Sequence, residues 1–240
     1  MIYDGFDFSG LLRCNPSRRL LPPVSAASLS MPGADGQLAG AVTLGAMTVQ
    51  VSARVLGRSS ECLGFERFAE LRRALAGRLL RREPAWLVLD DDPTMRLRAL
   101  MVDAPELDAW WPGASVTLRF RCDDPVAYGA ARSVELAEGT SEVVVGGTYA
   151  ASPTFEVRAR AGEAVRVADV GSGRFVQVAA AGTARTVTVA CGRYGRCEVN
   201  GEPAPELVSL ASRYFTLEPG RRQVSVEGGP ATMTYDERWL

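Results

Sequence analysis

Residues 30–40 read SMPGADGQLAG, with Pro32-Gly33 and Asp35-Gly36 as two turn signals close together. A glycine-rich bend can cradle a phosphate on its backbone N–H groups. This one lacks the Lys-Ser/Thr of a P-loop and the spacing of a dinucleotide fingerprint. The stretch C-terminal to it has the alternation of a strand, not of a helix. It therefore reads as a bend that sends the chain into a long strand over 42–56. Two acidic runs, Asp90-Asp91-Asp92 and Asp123-Asp124-Pro125, could ligate a cation or furnish an acid–base pair. Acidic turns between strands are the commoner role, and nothing selects one pair of carboxylates. Trp110-Trp111-Pro112 could stack on a sugar or plug a strand entry. The stretch GRSSEC (57–62) lacks a nucleophile elbow.

Histidine is absent. Ser-His-Asp and Cys-His systems, histidine-ligated zinc and the usual general base near neutral pH are all removed. The five cysteines, Cys14, Cys62, Cys122, Cys191 and Cys197, form no CxxC pair, so a zinc site is not expected. Cys191 and Cys197 bracket GRYGR, a hairpin tip across which they could pair in an oxidising medium; in a reducing cytosol they are two thiols on neighbouring strands. No metal, no cofactor and no catalytic residue emerges.

The chain has 240 residues, 47% of them hydrophobic, and a net charge of −1. That suits two small β domains or one large one, and provides no overall basic field for nucleic acid. All 27 cationic side chains are arginine, a bias expected of a GC-rich genome, with a physical consequence: guanidinium forks suit rigid ion pairs at interfaces. The first residues, MIYDGFDFSGLL, carry Asp4 and Asp7 where a signal peptide needs basic residues, and no apolar run reaches transmembrane length. Synthesis and folding in the cytosol are expected.

Most of the chain alternates with period two. Met47, Val49, Val51, Ala53 and Val55 share one face; Val116, Leu118, Phe120 and Cys122 share another. Residues 85–102 predict a β-hairpin turning at DDDP, with Met95, Leu97, Ala99 and Met101 on its inner side. One segment departs from this rhythm: Phe68, Leu71, Leu75 and Leu79 predict an amphipathic helix over about 64–80, ended by Pro84. Its arginines read as a solvated face, because no aromatics interleave with them. Residues 129–152 turn rich in Gly, Ala, Ser and Thr, and the domain boundary is placed there. Beyond it, eight short alternating segments, at 154–160, 164–170, 174–180, 186–191, 196–201, 213–220, 222–229 and 232–239, predict an antiparallel β-sandwich. The domains are thus 1–130 and 131–240, with the last strand free to reach back to the first.

The order of these pieces resembles the distal tail proteins of long-tailed, non-contractile bacteriophages, in their short form. YDGFDFSGLL (3–12) is similar to that family's aromatic-Gly opening, and MPGADG (31–36) to its turn before a long strand. The helix, WLVLDDDPTMRLRALM (86–101) and VTLRFRCDDPVAYG (116–129) match its middle; SPTFEV (152–157) and FTLEPGRRQVSVEGGPATMTYDERWL (215–240) match the two ends of its second domain. Arg221-Arg222 departs from the family, which commonly has Asn after the Pro-Gly turn.

The resemblance implies a mainly β chain: an N-terminal barrel- or sandwich-like domain with one packed helix, then a galectin-like C-terminal sandwich. It implies a structural protein of a phage or prophage tail tip and no enzyme. Six copies would form a ring joining the tail-tube protein to tail-tip, fibre or receptor-binding proteins, with no nucleic-acid contact required and no membrane insertion. Ring contacts are expected from the 31–40 loop with its following strand, through Met31, Pro32, Gly33, Asp35 and Gly36, and from the helix, through Arg72, Arg73 and Arg78. The alternative is a carbohydrate-binding module for cell-wall glycan, with Arg193, Tyr194, Arg196 and Asn200 as a surface that could hold a sugar or a partner. A glycosidase would need convergent carboxylates and a cleft that the sequence does not display.

Overall fold

The computed structural model describes residues 1–33, 35–55, 65–103, 105–107, 115–192 and 194–240. The side chains of Phe65 and Arg67 are outside that description. The chain divides into two compact units, Met1–Ala127 with Leu240, and Tyr128–Trp239. Both are mainly antiparallel β.

The first unit opens on a tight hairpin. β1 (Ile2–Tyr3) and β2 (Phe6–Asp7) pair Tyr3 with Phe6 across Asp4-Gly5. Both turn residues have positive φ, 49° and 74°, the type I′ geometry that Asp-Gly favours. Next come β3 (Leu12–Ser17), β4 (Val24–Ser30), β5 (Gln37–Leu44), β6 (Met47–Val55), α1 (Phe65–Leu79), β7 (Ala85–Leu89), β8 (Asp92–Met101) and β9 (Ser115–Cys122). The orders β2–β1–β7–β8 and β3–β6–β9–β8 share β8, so the sheet folds over one core.

Alternation does what the sequence predicts. β6 buries Met47, Val49, Val51, Ala53 and Val55 and exposes the residues between; β9 buries Val116, Leu118, Phe120 and Cys122. The two strands pair Val49 with Phe120 and Val51 with Leu118. Tyr3 lies edge-on to Phe120, 5.0 Å between centroids, and its hydroxyl donates to the Ala99 carbonyl at 3.3 Å. The helix rests Leu75 and Leu79 in the core, with Phe68 and Leu71 half-buried beside them. Arg81 then donates to the carbonyls of Gly77 (3.2 Å) and Leu80 (2.7 Å), which satisfies helix-end acceptors.

The expected long strand over 42–56 is corrected. Gly45 and Ala46 separate β5 from β6, and residue 56 lies outside the described residues. The 31–36 turn is the tip of a β4–β5 hairpin. β4 was not legible because VSAASLS has no apolar face to alternate: all seven residues are exposed.

The second unit is a two-sheet sandwich. Its strands are β10 (Ala127–Leu136), β11 (Gly139–Val145), β12 (Thr154–Ala159), β13 (Val165–Asp169), β14 (Arg174–Val178), β15 (Arg185–Ala190), β16 (Arg196–Val199), β17 (Glu202–Pro203), β18 (Gly220–Glu227) and β19 (Ala231–Trp239). One sheet runs β17–β16–β15–β12–β19–β10 and the other β11–β18–β13–β14. Inward residues of both sheets meet: Phe155, Val157, Val187 and Met233 from one, Val143, Val167, Val176 and Val224 from the other. Phe155 and Phe215 pack at 6.0 Å between centroids.

Two sequence expectations differ here. The Gly/Ala/Ser/Thr texture at 129–152 contains β10 and β11. Residues 213–220, expected as a strand, make only a bridge between Leu217 and Ala151, before β18 starts at Gly220. Their alternation is real, with Phe215 and Leu217 buried, but alternation reports burial and not a ladder. This segment closes the core, while Arg213 N–H donates to the Phe175 carbonyl at the edge of β14 (2.7 Å).

Cys14, Cys122, Cys191 and Cys197 are free thiols; Cys62 lies outside the described residues. Burial pushes the Cys191 thiol up to about 12, and burial with nearby Asp123 and Asp124 does the same to Cys122. Folding favours their neutral form, so their contribution to stability is present below the ordinary thiol value and is lost as pH rises toward 12. At pH 8, iodoacetamide should leave the Cys122 and Cys191 peptides unmodified until the protein is unfolded, as read by peptide mass mapping; fast native alkylation would contradict this burial. Phe155→Ala should cost about 3–5 kcal/mol, measured by urea unfolding.

Candidate assembly surface

The β4–β5 ribbon is the least self-sufficient part of the chain. It is a separate two-stranded sheet, in register from Val24↔Leu44 to Ser30↔Gln37, with an irregularity between Ala26 and Ser28. Val24 (57%), Leu29 (64%), Leu38 (54%) and Val42 (65%) are all exposed. The pairing puts Val24, Ala26, Val42 and Leu44 on one face near the base. Leu29 and Leu38 pair on the opposite face near the tip. Gly33 and Gly36 turn the tip with φ of 81° and 90°, which L side chains rarely adopt. Met31, Pro32 and Asp35 are exposed there. Between Arg19 and Arg54 the sole charged residue is Asp35. A ribbon with no charge inside its strands and with those strands exposed invites pairing with another chain.

The helix arginines divide. Arg72 and Arg73 are exposed on α1. Arg78 lies over the Phe6 ring, 4.5 Å from its centroid, so part of its charge serves the chain's own packing. A cavity of about 550 Å³ beside α1 has an apolar wall of Leu12, Leu75, Leu79 and Val116, with Arg72, Asp103 and Glu106 also lining it. Asp103 is paired to Arg119 at 3.2 Å, and no convergent donor set marks a ligand there.

The acidic runs are answered within the chain. Asp90 pairs with the Met1 amino group, and Arg18 reaches Asp91 (3.4 Å) and Asp92 (3.5 Å). Asp123 pairs with Arg121 at 2.9 Å. Among the described residues, no group of three or more His, Cys, Asp or Glu side chains could hold a metal ion. The stretches 57–62 and Trp110-Trp111-Pro112 lie outside the described residues.

The sugar-surface residues sit around one hairpin. Tyr194 is exposed at the β15–β16 tip; Arg193 lies outside the described residues. Gly195 lies against the Tyr214 ring, where a Cβ would stand 2.1 Å from the ring. Arg196 pairs with Glu198 at 3.3 Å. Asn200, at φ 49°, accepts the Thr186 N–H on its side-chain oxygen at 2.9 Å. Its side chain thus holds the Asn200-Gly201 turn against β15. Sequence reasoning missed the Arg96 and Arg98 guanidiniums over the outward Trp86 ring, at 4.5 and 5.0 Å; the period-two pattern of the 85–102 hairpin was enough to place all three on one face.

Residues 146–239 match the family model of the siphovirus-type tail component, C-terminal domain. The resemblance to phage distal tail proteins therefore stands. The crystal structure of the SPP1 Dit protein (gp 19.1), a paradigm of the hub adsorption apparatus in phages infecting Gram-positive bacteria, has a TM-score of 0.83 to this chain at 19% identity, covering 100% of this chain and 98% of that one. The phage P2 baseplate in its activated conformation with calcium has 0.55 at 8% identity, covering 97% and 91%. The same baseplate with strontium has 0.54 at 9% identity, covering 95% and 90%. No curated protein sequence matches the chain. The Dit-like fold thus extends through both units.

Proposed function

We propose that this protein is the structural hub of a phage or prophage tail tip. Copies close into a six-membered ring between the tail-tube protein and the tail-tip, fibre or receptor-binding proteins. The observation that carries the reading is the β4–β5 ribbon. A two-stranded ribbon is marginal on its own in water, and this one leaves four large apolar side chains exposed without lysine, arginine or proline inside its strands to block pairing. A neighbouring copy supplies the missing contact. A ring built by rotation needs two different complementary patches on each subunit. The ribbon, with Met31, Pro32, Gly33, Asp35 and Gly36 at its tip, provides one. The other is provided in part by Arg72 and Arg73, exposed on α1, with Arg78 beside them.

The role is architectural, with no catalysis. Acidic turns are occupied by the chain's own cations, and histidine is absent. The site of action is the virion tail tip, after synthesis in the bacterial cytoplasm. Nucleic acid and membrane are not required partners; among the described residues no helix is long and apolar enough to cross a membrane.

Light scattering with negative-stain imaging tests this. The expected result is a six-chain particle with a central hole. Leu29→Lys with Leu38→Glu, opposite charges at directly paired positions, should dissolve the ring while shifting the unfolding free energy of the single chain by no more than about 0.5 kcal/mol. A monomer that binds cell-wall glycan would overturn the hub in favour of a carbohydrate-binding module.

A further inference from the structure

We propose that two like-charge pairs on the first unit meet across neighbouring copies: Arg13 and Arg54 of one copy hold Glu66 and Glu70 of the next. The inference rests on the ring reading and names a second contact within it.

Arg13 on β3 and Arg54 on β6 are direct cross-strand partners, and both are exposed. In an antiparallel pair the Cβ atoms of such partners stand about 4.5–5.5 Å apart, and like charges so placed repel. Four other cations of this unit have a carboxylate: Arg18 meets Asp91, Arg81 meets Asp4 at 2.5 Å, Arg119 meets Asp103 and Arg121 meets Asp123. What sets Arg13 and Arg54 apart from the unpaired helix arginines is that they face each other across a strand pair. Neither Arg13 nor Arg54 has a carboxylate partner among the described residues.

The complement lies on α1. Glu66 and Glu70 are exposed and one helical turn apart, opposite the stripe of Phe68, Leu71, Leu75 and Leu79. Side chains at this spacing are about 5–6 Å apart at Cβ and repel when alike in charge. The helix N-terminus favours Glu66; Glu70 is beyond the first turn, where that field has decayed. Neither glutamate has a cationic partner among the described residues.

The two spacings match. Two guanidinium forks facing two carboxylates form bidentate, charge-assisted hydrogen bonds and cancel both repulsions together. The occupant is a second copy and not nucleic acid. A phosphate backbone laid along this sheet would meet Asp103 and Asp123, which already neutralise Arg119 and Arg121. The chain's net charge is −1. Head-to-tail contact places the arginine pair of each copy on the glutamate pair of the next, as a closed ring requires.

The test is a charge swap, read as the protein concentration at half assembly by mass photometry at 0.15 M salt. Arg13→Glu with Arg54→Glu, and separately Glu66→Arg with Glu70→Arg, should each raise that concentration at least tenfold. The four substitutions together should return it to within threefold of the unaltered protein. Either double variant assembling like the unaltered protein overturns the pairing, and so does a folded fourfold variant that fails to recover. Rings that persist in both doubles leave the hub intact; an unaltered protein that forms no ring fails the hub and this contact together. The neutral variants Arg13→Gln with Arg54→Gln, and Glu66→Gln with Glu70→Gln, guard against misfolding. They remove each repulsion, so thermal stability of the single chain should hold or rise while assembly weakens. Loss of both, or of neither, contradicts the proposal.

Discussion

A β-ribbon with apolar side chains on both faces and no core of its own cannot be at rest in water. That constraint governs the first unit. β4 and β5 satisfy each other's backbone groups along one edge, yet bury almost nothing. Their order must come from something outside the ribbon, because ladder hydrogen bonds alone contribute little net stability once exchanged against water. The rest of the unit has a different balance. Tyr3, Phe8, Leu87, Leu118 and Phe120 are fully enclosed, and α1 covers that core with Leu75 and Leu79. The result is a well-packed core and a separate, under-packed two-stranded ribbon, a distribution suited to an assembly subunit.

Arginine is the chain's only cationic side chain and is used as a planar group as well as a charge. Arg96 and Arg98 lie over Trp86, Arg166 over Phe175 at 4.2 Å, and Arg238 over both Tyr128 and Tyr149 at 5.3 and 5.1 Å. Lysine would not stack in this way. The same residue type closes acidic turns and caps the helix. Arg13 and Arg54 differ from this use: they face each other across β3 and β6 with no carboxylate among the described residues.

Legibility in the sequence followed burial. Strands with one buried face, such as β6 and β9, showed which side faces the core, because period two is the imprint of a single hydrophobic side, although the bounds of β6 were read too long. The helix was legible for the same reason, at period 3.6. β4 was illegible, since a strand exposed on both faces leaves no imprint. Residues 213–220 erred in the opposite direction: Phe215 and Leu217 plug a core without joining a ladder. At the surface, several residues that stood out by type also serve the chain's own fold. Asn200 holds a turn, Arg78 covers Phe6, and Asp90, Asp91 and Asp92 meet the chain's own cations. Sequence could mark a turn at Gly33 and Gly36, but the hairpin it closes and the exposure that carries the functional argument are properties of the fold.

The central claim is that the ribbon is completed by another copy. Hydrogen–deuterium exchange over residues 24–44, followed across a dilution series, tests it most directly. The account predicts slow exchange at high concentration and fast exchange after dilution, while the β6 and β9 amides stay protected throughout. Ribbon exchange that does not change with concentration, in step with a particle mass that does, would contradict it.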